Sequence, residues 1–95
     1  MPMPVAVEAR ESRLKRMAMR SWRRGTKEMD LILGPYADAH LGAMDVATLD
    51  HFDALLAEND QDLYPWITGA NPTPDRFSQL LADIARFSFS GKRRF

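Results

Sequence analysis

The chain has 95 residues, and a hydrophobic content of 45% is enough for one compact core but not for two. It contains no cysteine, which excludes disulfide bonds and thiolate metal sites. The formal net charge is zero, so the chain as a whole lacks the positive charge that is typical of a nucleic-acid-binding protein.

The charges are nevertheless segregated along the chain. Residues 1–27 contain eight basic and two acidic residues, residues 28–75 contain ten acidic and no basic ones, and residues 76–95 contain five basic and one acidic. One interpretation is that helices of opposite charge pack beside each other. The other is that charged surfaces steer association with a charged partner, and the sequence leaves both open.

The first predicted helix covers about residues 9–23 and ends at a glycine. Its apolar stripe has helical spacing and consists of Leu14, Met17, Ala18, Ser21 and Trp22. Gly25 follows, and a glycine at this point favours the left-handed conformation that often ends a helix. Thr26 is then predicted to cap the next helix.

The second predicted helix begins near Thr26 and contains Gly34 and Pro35. Its inward-facing residues are predicted to be Met29, Ile32, Leu33, Tyr36 and His40. Because proline has no N–H to bond the carbonyl of Leu31, the Gly-Pro pair predicts a kink or a division into two short helices.

A third and a fourth helix follow in the acidic part of the chain. Asp45 is predicted to cap the third helix, which runs to about Glu58. Asp60 or Asp62 is predicted to cap the short fourth helix. Pro65 favours a start close to Asp62, because proline fits only the first turn of a helix.

The last predicted helix is marked by turn residues on its N-terminal side. Gly69 is predicted to end the fourth helix. Thr73 is predicted to cap the fifth helix, with Pro74 at its first position and Asp75 in its first turn.

These patterns predict an all-α fold, a small five-helix bundle in a single domain. The domain is assigned to residues 9–89, with a disordered N-terminal tail at 1–8 and a flexible basic C-terminal tail at 90–95. Five residues are predicted to be largely buried, namely Trp22, Phe52, Trp66, Leu80 and Ile84. The sequence has no signal-peptide pattern and no apolar run near the roughly 20 residues of a membrane span, so we expect a soluble intracellular protein without membrane insertion.

The sequence offers no clear catalytic or metal-binding motif. His40 and His51 lie on different predicted helices without a companion at metal-ligand spacing. Asp50 and Asp53 are neighbours on one helix face, which is most often a solvated surface. There is no Gly-rich phosphate loop and no nucleophile motif, so we expect no enzymatic activity. The apolar position of Trp22 and a pI near 6.7 also weigh against nucleic-acid binding.

The corner between the first two helices has a structural and a functional interpretation. In the structural one, Gly25 ends a helix and Arg24 pairs with Glu28 inside the chain. In the functional one, arginines from one helix and a carboxylate from the next converge on a surface that binds a partner. A five-residue pattern alone favours the structural interpretation, because such patterns occur by chance.

Two segments taken together carry a resemblance to a known family. They are Arg-Ser-Trp-Arg-Arg-Gly-Thr-Lys-Glu-Met-Asp-Leu-Ile-Leu-Gly at 20–34 and Asn-Asp-Gln-Asp-Leu-Tyr-Pro-Trp-Ile-Thr-Gly at 59–69. In this order they resemble the succinate dehydrogenase assembly factor family, and the resemblance covers about residues 10–88. The family signature Arg-Gly-x-x-Glu falls on Arg24, Gly25 and Glu28. The second block falls on Asp60, Asp62, Leu63, Tyr64 and Trp66. The departures are Met19, where many relatives have an aromatic residue, and the basic tail.

The resemblance implies a five-helix fold and a function. It implies a chaperone-like accessory factor that binds the flavoprotein subunit of succinate dehydrogenase, and in some bacteria of fumarate reductase. Such a factor promotes covalent attachment of FAD to a histidine of that subunit and has no catalytic residues or tightly bound cofactor of its own, which leaves open whether it touches FAD. The partner-binding residues implied here are Arg23, Arg24, Gly25, Glu28 and Asp30. We expect a monomer when free, and a bacterial cytoplasmic protein, because a mitochondrial member would carry a longer targeting extension.

A second function stays open from the sequence. Members of this family have also been described as antitoxins of toxin-antitoxin pairs, which would make the chain a regulatory interaction module. Neighbouring genes for succinate dehydrogenase would favour the assembly factor, and an adjacent small toxin gene would favour the antitoxin.

Overall fold

Five α-helices form the part of the chain that the structure describes. In a computed structural model, residues 8–89 are described, and most of the predicted tails therefore lies outside this range. The helices are α1 (Arg10–Trp22), α2 (Lys27–His40), α3 (Val46–Leu56), α4 (Asp60–Thr68) and α5 (Ser78–Phe89). No strand occurs between residues 8 and 89, so the predicted all-α five-helix class is confirmed. None of the described helices is both long enough and apolar enough to cross a membrane.

Helix α1 presents one buried stripe and one charged surface. Met17 and Ser21 are buried, and the Ser21 hydroxyl donates to the Met17 carbonyl at 2.8 Å. Trp22 was predicted to be buried, and this is wrong, because it lies at the surface. Its ring packs against Gly34 of α2 and its indole N–H donates to Asp38 at 3.1 Å. The indole therefore covers a neighbouring helix without entering the core.

Helix α2 runs as one element through its proline. Thr26 caps it as predicted, accepting a hydrogen bond from the Met29 backbone N–H at 3.3 Å. The helix includes Pro35 and ends at His40, so the predicted alternative of two short helices is wrong. Buried residues on both sides of the proline, Ile32, Leu33, Tyr36 and Ala37, anchor the helix to the core despite the missing hydrogen bond. A 3₁₀ turn at Leu41–Ala43 then leads to α3.

Helix α3 begins where the sequence predicts. The Asp45 side chain accepts a hydrogen bond from the Thr48 backbone N–H at 2.8 Å, which satisfies one free donor at the helix start. A hydrogen bond from the Thr48 side chain, together with this backbone bond, holds the pKa of Asp45 below its ordinary value. The helix ends at Leu56, two residues before the predicted end at Glu58.

Helices α4 and α5 begin differently from the prediction. Asn59 occupies the cap position of α4, so Asp60 and Asp62 both lie in its first turn and Pro65 lies inside the helix. Gly69 ends α4 as predicted, in a left-handed conformation with φ +86°. Neither Thr73 nor Pro74 starts α5, because a 3₁₀ turn at Asp75–Phe77 comes first.

One hydrophobic core joins all five helices. Phe52, Leu80 and Ile84 are buried as predicted, whereas Trp66 is only half-buried against the edge of the core. The full set of buried apolar residues is Met17, Met29, Ile32, Leu33, Tyr36, Ala37, Leu41, Met44, Leu49, Phe52, Leu55, Leu56, Leu63, Ile67, Phe77, Leu80, Leu81 and Ile84. Because every helix contributes, we expect the described domain to fold as one unit.

Candidate functional site: the corner between α1 and α2

The corner is a four-residue connection at 23–26. Gly25 has φ +105°, a backbone conformation that residues other than glycine rarely adopt, so the predicted left-handed conformation is confirmed. It does not itself end α1, because the helix ends at Trp22 with Arg23 in the cap position. A Cβ added at Gly25 would meet nothing within 4 Å, so the glycine is required by its backbone angle and not by crowding. The outer surface of the corner is therefore open.

Arg24 turns inward from the corner and binds the connection between α3 and α4. Its Nη1 donates to the Leu56 carbonyl at 2.7 Å and its Nη2 to the Glu58 carbonyl at 2.8 Å. Its Nε donates to the Asp60 carboxylate at 2.9 Å. Only 8% of the Arg24 side chain is exposed. The guanidinium thus satisfies one carbonyl at the end of α3 and one in the connection that follows, and it pairs with the first residue of α4.

The structural interpretation of the corner expected Arg24 to pair with Glu28. Arg24 pairs with Asp60 instead, and its backbone N–H donates to the Asp30 carboxylate at 2.6 Å. The arginine therefore joins the two sequence segments that carry the family resemblance, residues 20–34 and 59–69. We call this set of bonds the Arg24 clamp, consisting of Arg24 with Leu56, Glu58 and Asp60.

Glu28 takes no part in the clamp and is exposed. Within residues 8–89 its carboxylate has no hydrogen bond and no ion pair. It lies in the first turn of α2, where the helix dipole favours a negative charge. A carboxylate that is already stabilised at its position but has no intramolecular partner is free to bind an external donor.

A shallow groove of about 410 Å³ lies beside Glu28, between the start of α2 and α4. It is lined by Thr26, Glu28, Met29, Asp60, Gln61 and Tyr64. Tyr64 is 42% exposed and presents its ring at this surface. None of the lining residues is basic, so the groove presents carboxylates and an aromatic ring.

The predicted partner-binding residues fall into two groups. Arg23, Gly25 and Glu28 are exposed at the corner, whereas Arg24 and Asp30 are engaged in bonds within the chain. Whether any of them contacts a partner stays a prediction. The sequence reasoning missed Gln61 and the exposure of Tyr64. The available signal was their spacing, since Tyr64 follows Asp60 by one helical turn and so shares its face.

Three arginines of α1 are matched by acids of α3, namely Arg13, Arg16 and Arg20. Arg13 binds Asp50 at 2.7 Å, and Arg16 binds Asp53 at 2.8 Å. Hydrogen bonding from Arg16, together with the positive charges of Arg16, Arg13 and Arg20, holds the pKa of the Asp53 carboxyl below its ordinary value. The interpretation that oppositely charged helices pack together is thus confirmed for α1 and α3.

The histidines occupy aromatic surroundings. His40 stacks on Tyr36 with ring centroids 4.2 Å apart, and its Nδ1 lies 3.0 Å from the Tyr36 carbonyl oxygen. His51 lies against Phe77, with ring centroids 5.3 Å apart. Among residues 8–89, no group of three or more His, Asp or Glu side chains is placed to hold a metal ion.

The fold and the corner describe a small helical protein with a surface groove beside a glycine turn. The family model described as "Flavinator of succinate dehydrogenase" matches residues 15–88. The chain belongs to this family. The sequence-based recognition of a succinate dehydrogenase assembly factor is therefore confirmed.

Curated fungal relatives carry the name "Succinate dehydrogenase assembly factor 2, mitochondrial". The chain is 41% identical to the one from Mycosarcoma maydis over 71 residues, which cover 75% of this chain and 30% of the relative. It is 40% identical to the one from Meyerozyma guilliermondii over 73 residues, with 74% and 54% covered. It is 35% identical to the one from Candida glabrata over 92 residues, with 92% and 60% covered. The chain thus spans between about a third and three fifths of these relatives.

The expected bacterial cytoplasmic location is contradicted by these relatives, which are fungal and named as mitochondrial. That expectation rested on the short segment before the first helix. The length of such a segment is no guide to compartment, because targeting extensions are separate from the folded domain and leave no mark on its helices.

Proposed function

We propose that this protein binds the flavoprotein subunit of succinate dehydrogenase and promotes covalent attachment of FAD to that subunit. The family match supports an assembly role and favours it over the antitoxin alternative. The observation that carries the proposal is the Arg24 clamp, because it brings the two family segments together and leaves Glu28 free beside a groove.

In this proposal, some corner residues position the corner and others contact the flavoprotein subunit. Arg24 and Asp30 hold the corner in place through bonds inside the chain. Gly25 keeps the surface of the corner free of a side chain, and Glu28 and Arg23 supply charged hydrogen bonds to the partner. Removing one member of a charged pair that is buried at an interface costs on the order of 2–5 kcal/mol of binding free energy.

In this proposal the bond-forming chemistry belongs to the flavoprotein subunit and its flavin. The small factor has no catalytic residue of its own and holds no FAD tightly. It acts by binding the subunit in the conformation that is competent for attachment, which requires a preference for that conformation over others.

The test compares Glu28→Ala with Glu11→Ala in cells that have no other copy of the factor. Both glutamates are exposed, lie in the first turn of a helix and have no partner among the described residues, so Glu11 is a matched control. We expect Glu28→Ala to reduce in-gel flavin fluorescence of the flavoprotein subunit strongly and Glu11→Ala to leave it unchanged. Both purified variants should keep their unfolding free energy within about 0.5 kcal/mol of the parent chain.

Normal flavin fluorescence with the Glu28→Ala factor would remove Glu28 from the proposed contact. Loss of fluorescence together with a collapsed melting transition would assign Glu28 a structural role instead. If the unaltered chain also fails to restore flavin attachment and does not capture the subunit, the proposed function itself is wrong.

A further inference from the structure

Beside the corner, α1 and α2 together form a second surface. Lys15, Met19 and Trp22 follow one another at helical spacing and so lie on one face of α1. Lys27 and Leu31 have the same relation on α2, and Gly34 and Asp38 continue that side of the helix. The Trp22 side chain connects the two helices.

The connection made by Trp22 is close. A Cβ added at Gly34 would overlap the Trp22 ring, so the indole lies directly against the α2 backbone at this point. The indole N–H donates to the Asp38 carboxylate at 3.1 Å, one turn further along. The two stripes are therefore one continuous surface, which we call the basic-apolar face. It consists of Lys15, Met19, Trp22, Arg23, Lys27 and Leu31.

The large apolar side chains of this face are exposed to solvent and do not belong to the core. Met19 is 51% exposed, Trp22 38% and Leu31 44%. Single exposed apolar residues are common on soluble proteins, whereas a cluster rimmed by charges marks an interaction surface. Tryptophan and arginine are also the residues that most often dominate binding energy at such surfaces.

The positive charges of this face are free in the described part of the chain. Lys15, Arg23 and Lys27 have no hydrogen bond or ion pair with residues 8–89. All other basic residues of the first 27 bond to the chain itself: Arg10, Arg13, Arg16, Arg20 and Arg24. The free cations of this basic segment are thus gathered around its exposed apolar residues.

We propose that the basic-apolar face docks an acidic amphipathic segment of the protein partner, in which carboxylates flank apolar side chains. The inference rests on the proposed function, since it extends the contact on the same flavoprotein subunit. Two observations select this occupant. The three free cations call for carboxylates, and Arg23 and Lys27 stand on either side of Gly25, so the face is continuous with the corner.

An anionic membrane fits the face less well. The Trp22 ring lies flat against α2 with its N–H already bonded to Asp38, so it does not project as an interfacial anchor. The Asp38 carboxylate lies at the edge of the face. A folded acidic segment can place its carboxylates opposite the cations and away from Asp38, whereas an anionic headgroup layer is negative over the whole contact.

The charge arm of the test uses the full chain and the purified flavoprotein subunit. Lys15→Gln with Lys27→Gln removes two charges from the face and leaves Arg23, which the proposed function already uses, unchanged. Arg76→Gln with Arg86→Gln removes two exposed charges from the α5 region as a control. At an ionic strength near 0.05 M, we expect the face pair to weaken binding about tenfold, mainly through slower association. The control pair should stay within about twofold, and the difference should shrink as salt is raised.

The apolar arm compares Leu31→Ser with Val46→Ser. Both residues are exposed apolar positions on helices, but Val46 starts α3 and does not belong to the face. We expect Leu31→Ser to speed dissociation several-fold and Val46→Ser to leave it unchanged, with equal melting temperatures for both.

The outcomes separate this inference from the proposed function. If the unaltered chain does not bind the subunit, both are wrong. If Glu28→Ala weakens binding while the face pair and its control behave alike, only the basic-apolar face is refuted. Binding of the chain to vesicles containing phosphatidylserine that the face pair abolishes, with subunit binding unchanged, would assign the face to a membrane and also refute it.

Discussion

Two glycines beside the corner are required for different physical reasons. Gly25 has open space around it but a positive φ, so any side chain there is strained by the backbone. Gly34 lies inside a helix with ordinary backbone angles, and it is the Trp22 ring that leaves no room for a Cβ.

Gly34→Ala should therefore displace the indole. The added methyl overlaps the Trp22 ring, so the ring must move and its bond to Asp38 is lost. We expect a loss of about 1–3 kcal/mol in unfolding free energy and a shifted tryptophan emission spectrum in a Trp66→Phe background. Gly42→Ala is the control, because a Cβ there meets nothing within 4 Å. An unchanged spectrum for Gly34→Ala would contradict the contact.

Arg24→Lys should be far more damaging than Arg23→Lys. A lysine cannot reproduce the planar fork that bonds two carbonyls and the Asp60 carboxylate, and it leaves those groups partly unsatisfied. We expect urea unfolding to show a loss of about 2–3 kcal/mol for Arg24→Lys. The exposed Arg23 has no such bonds and should tolerate the change. Equal midpoints for the two variants would refute the structural role of the clamp.

At the level of helices, the sequence predicts starts that depend on local bonds and misses those that depend on packing. Thr26 and Asp45 cap their helices through contacts three residues away, and both were predictable. The start of α4 was not predictable in this way. Pro65 suggested a helix start near Asp62, whereas the buried side chains of Leu63 and Ile67 hold the helix to the core on both sides of the proline. The prediction that Trp22 is buried was wrong for a similar reason, because helical spacing cannot show that its ring packs on Gly34 of α2.

The contact between α1 and α3 should depend on pH through Asp53. The pKa of Asp53 is lowered by the arginines of α1, so its contribution is present at neutral pH and is lost as pH falls below about 4 and passes through the lowered pKa. Asp53→Asn should reduce stability by about 1 kcal/mol at pH 7, and the deficit should narrow near pH 3.

The measurement is a melting series from pH 7 to pH 3 with Asp62→Asn as control. Asp62 is exposed, and its side chain has no partner among residues 8–89, so its removal should leave the profile close to that of the parent chain. A constant deficit for Asp53→Asn across the whole range would show that the charge of Asp53 is not what stabilises the contact.

At the scale of the whole molecule, one core predicts one unfolding transition. Every helix contributes buried residues to the same cluster, and the domain is small enough for all-or-none behaviour. Thermal unfolding followed by circular dichroism at 222 nm and by tryptophan fluorescence should give coincident curves, with fluorescence reporting mainly Trp22 and Trp66. Separated curves would mean that the α1–α2 corner unfolds apart from the rest.

The candidate site could be predicted from the sequence only in part. The residues of both family segments could be recognised, and the left-handed turn at Gly25 followed from its position. The pairing of Arg24 with Asp60 could not be predicted, because several acids of the second segment were available and only the fold selects one. Because Arg24 pairs with Asp60, Glu28 has no ion pair among the described residues.

Because of the Arg24 clamp, the groove beside the corner can form only after the chain has been completed as far as α4. The ion pair of the clamp joins residues that are 36 positions apart, so the chain must close a long loop before the corner and α4 stand side by side. A chain still emerging from the ribosome, or cut before Asp60, carries the complete Arg-Gly-x-x-Glu signature but has no groove beside it. Under the proposed function, recognition of the flavoprotein subunit therefore depends on completed folding, and an unfinished copy of the factor would not compete with finished copies for that subunit.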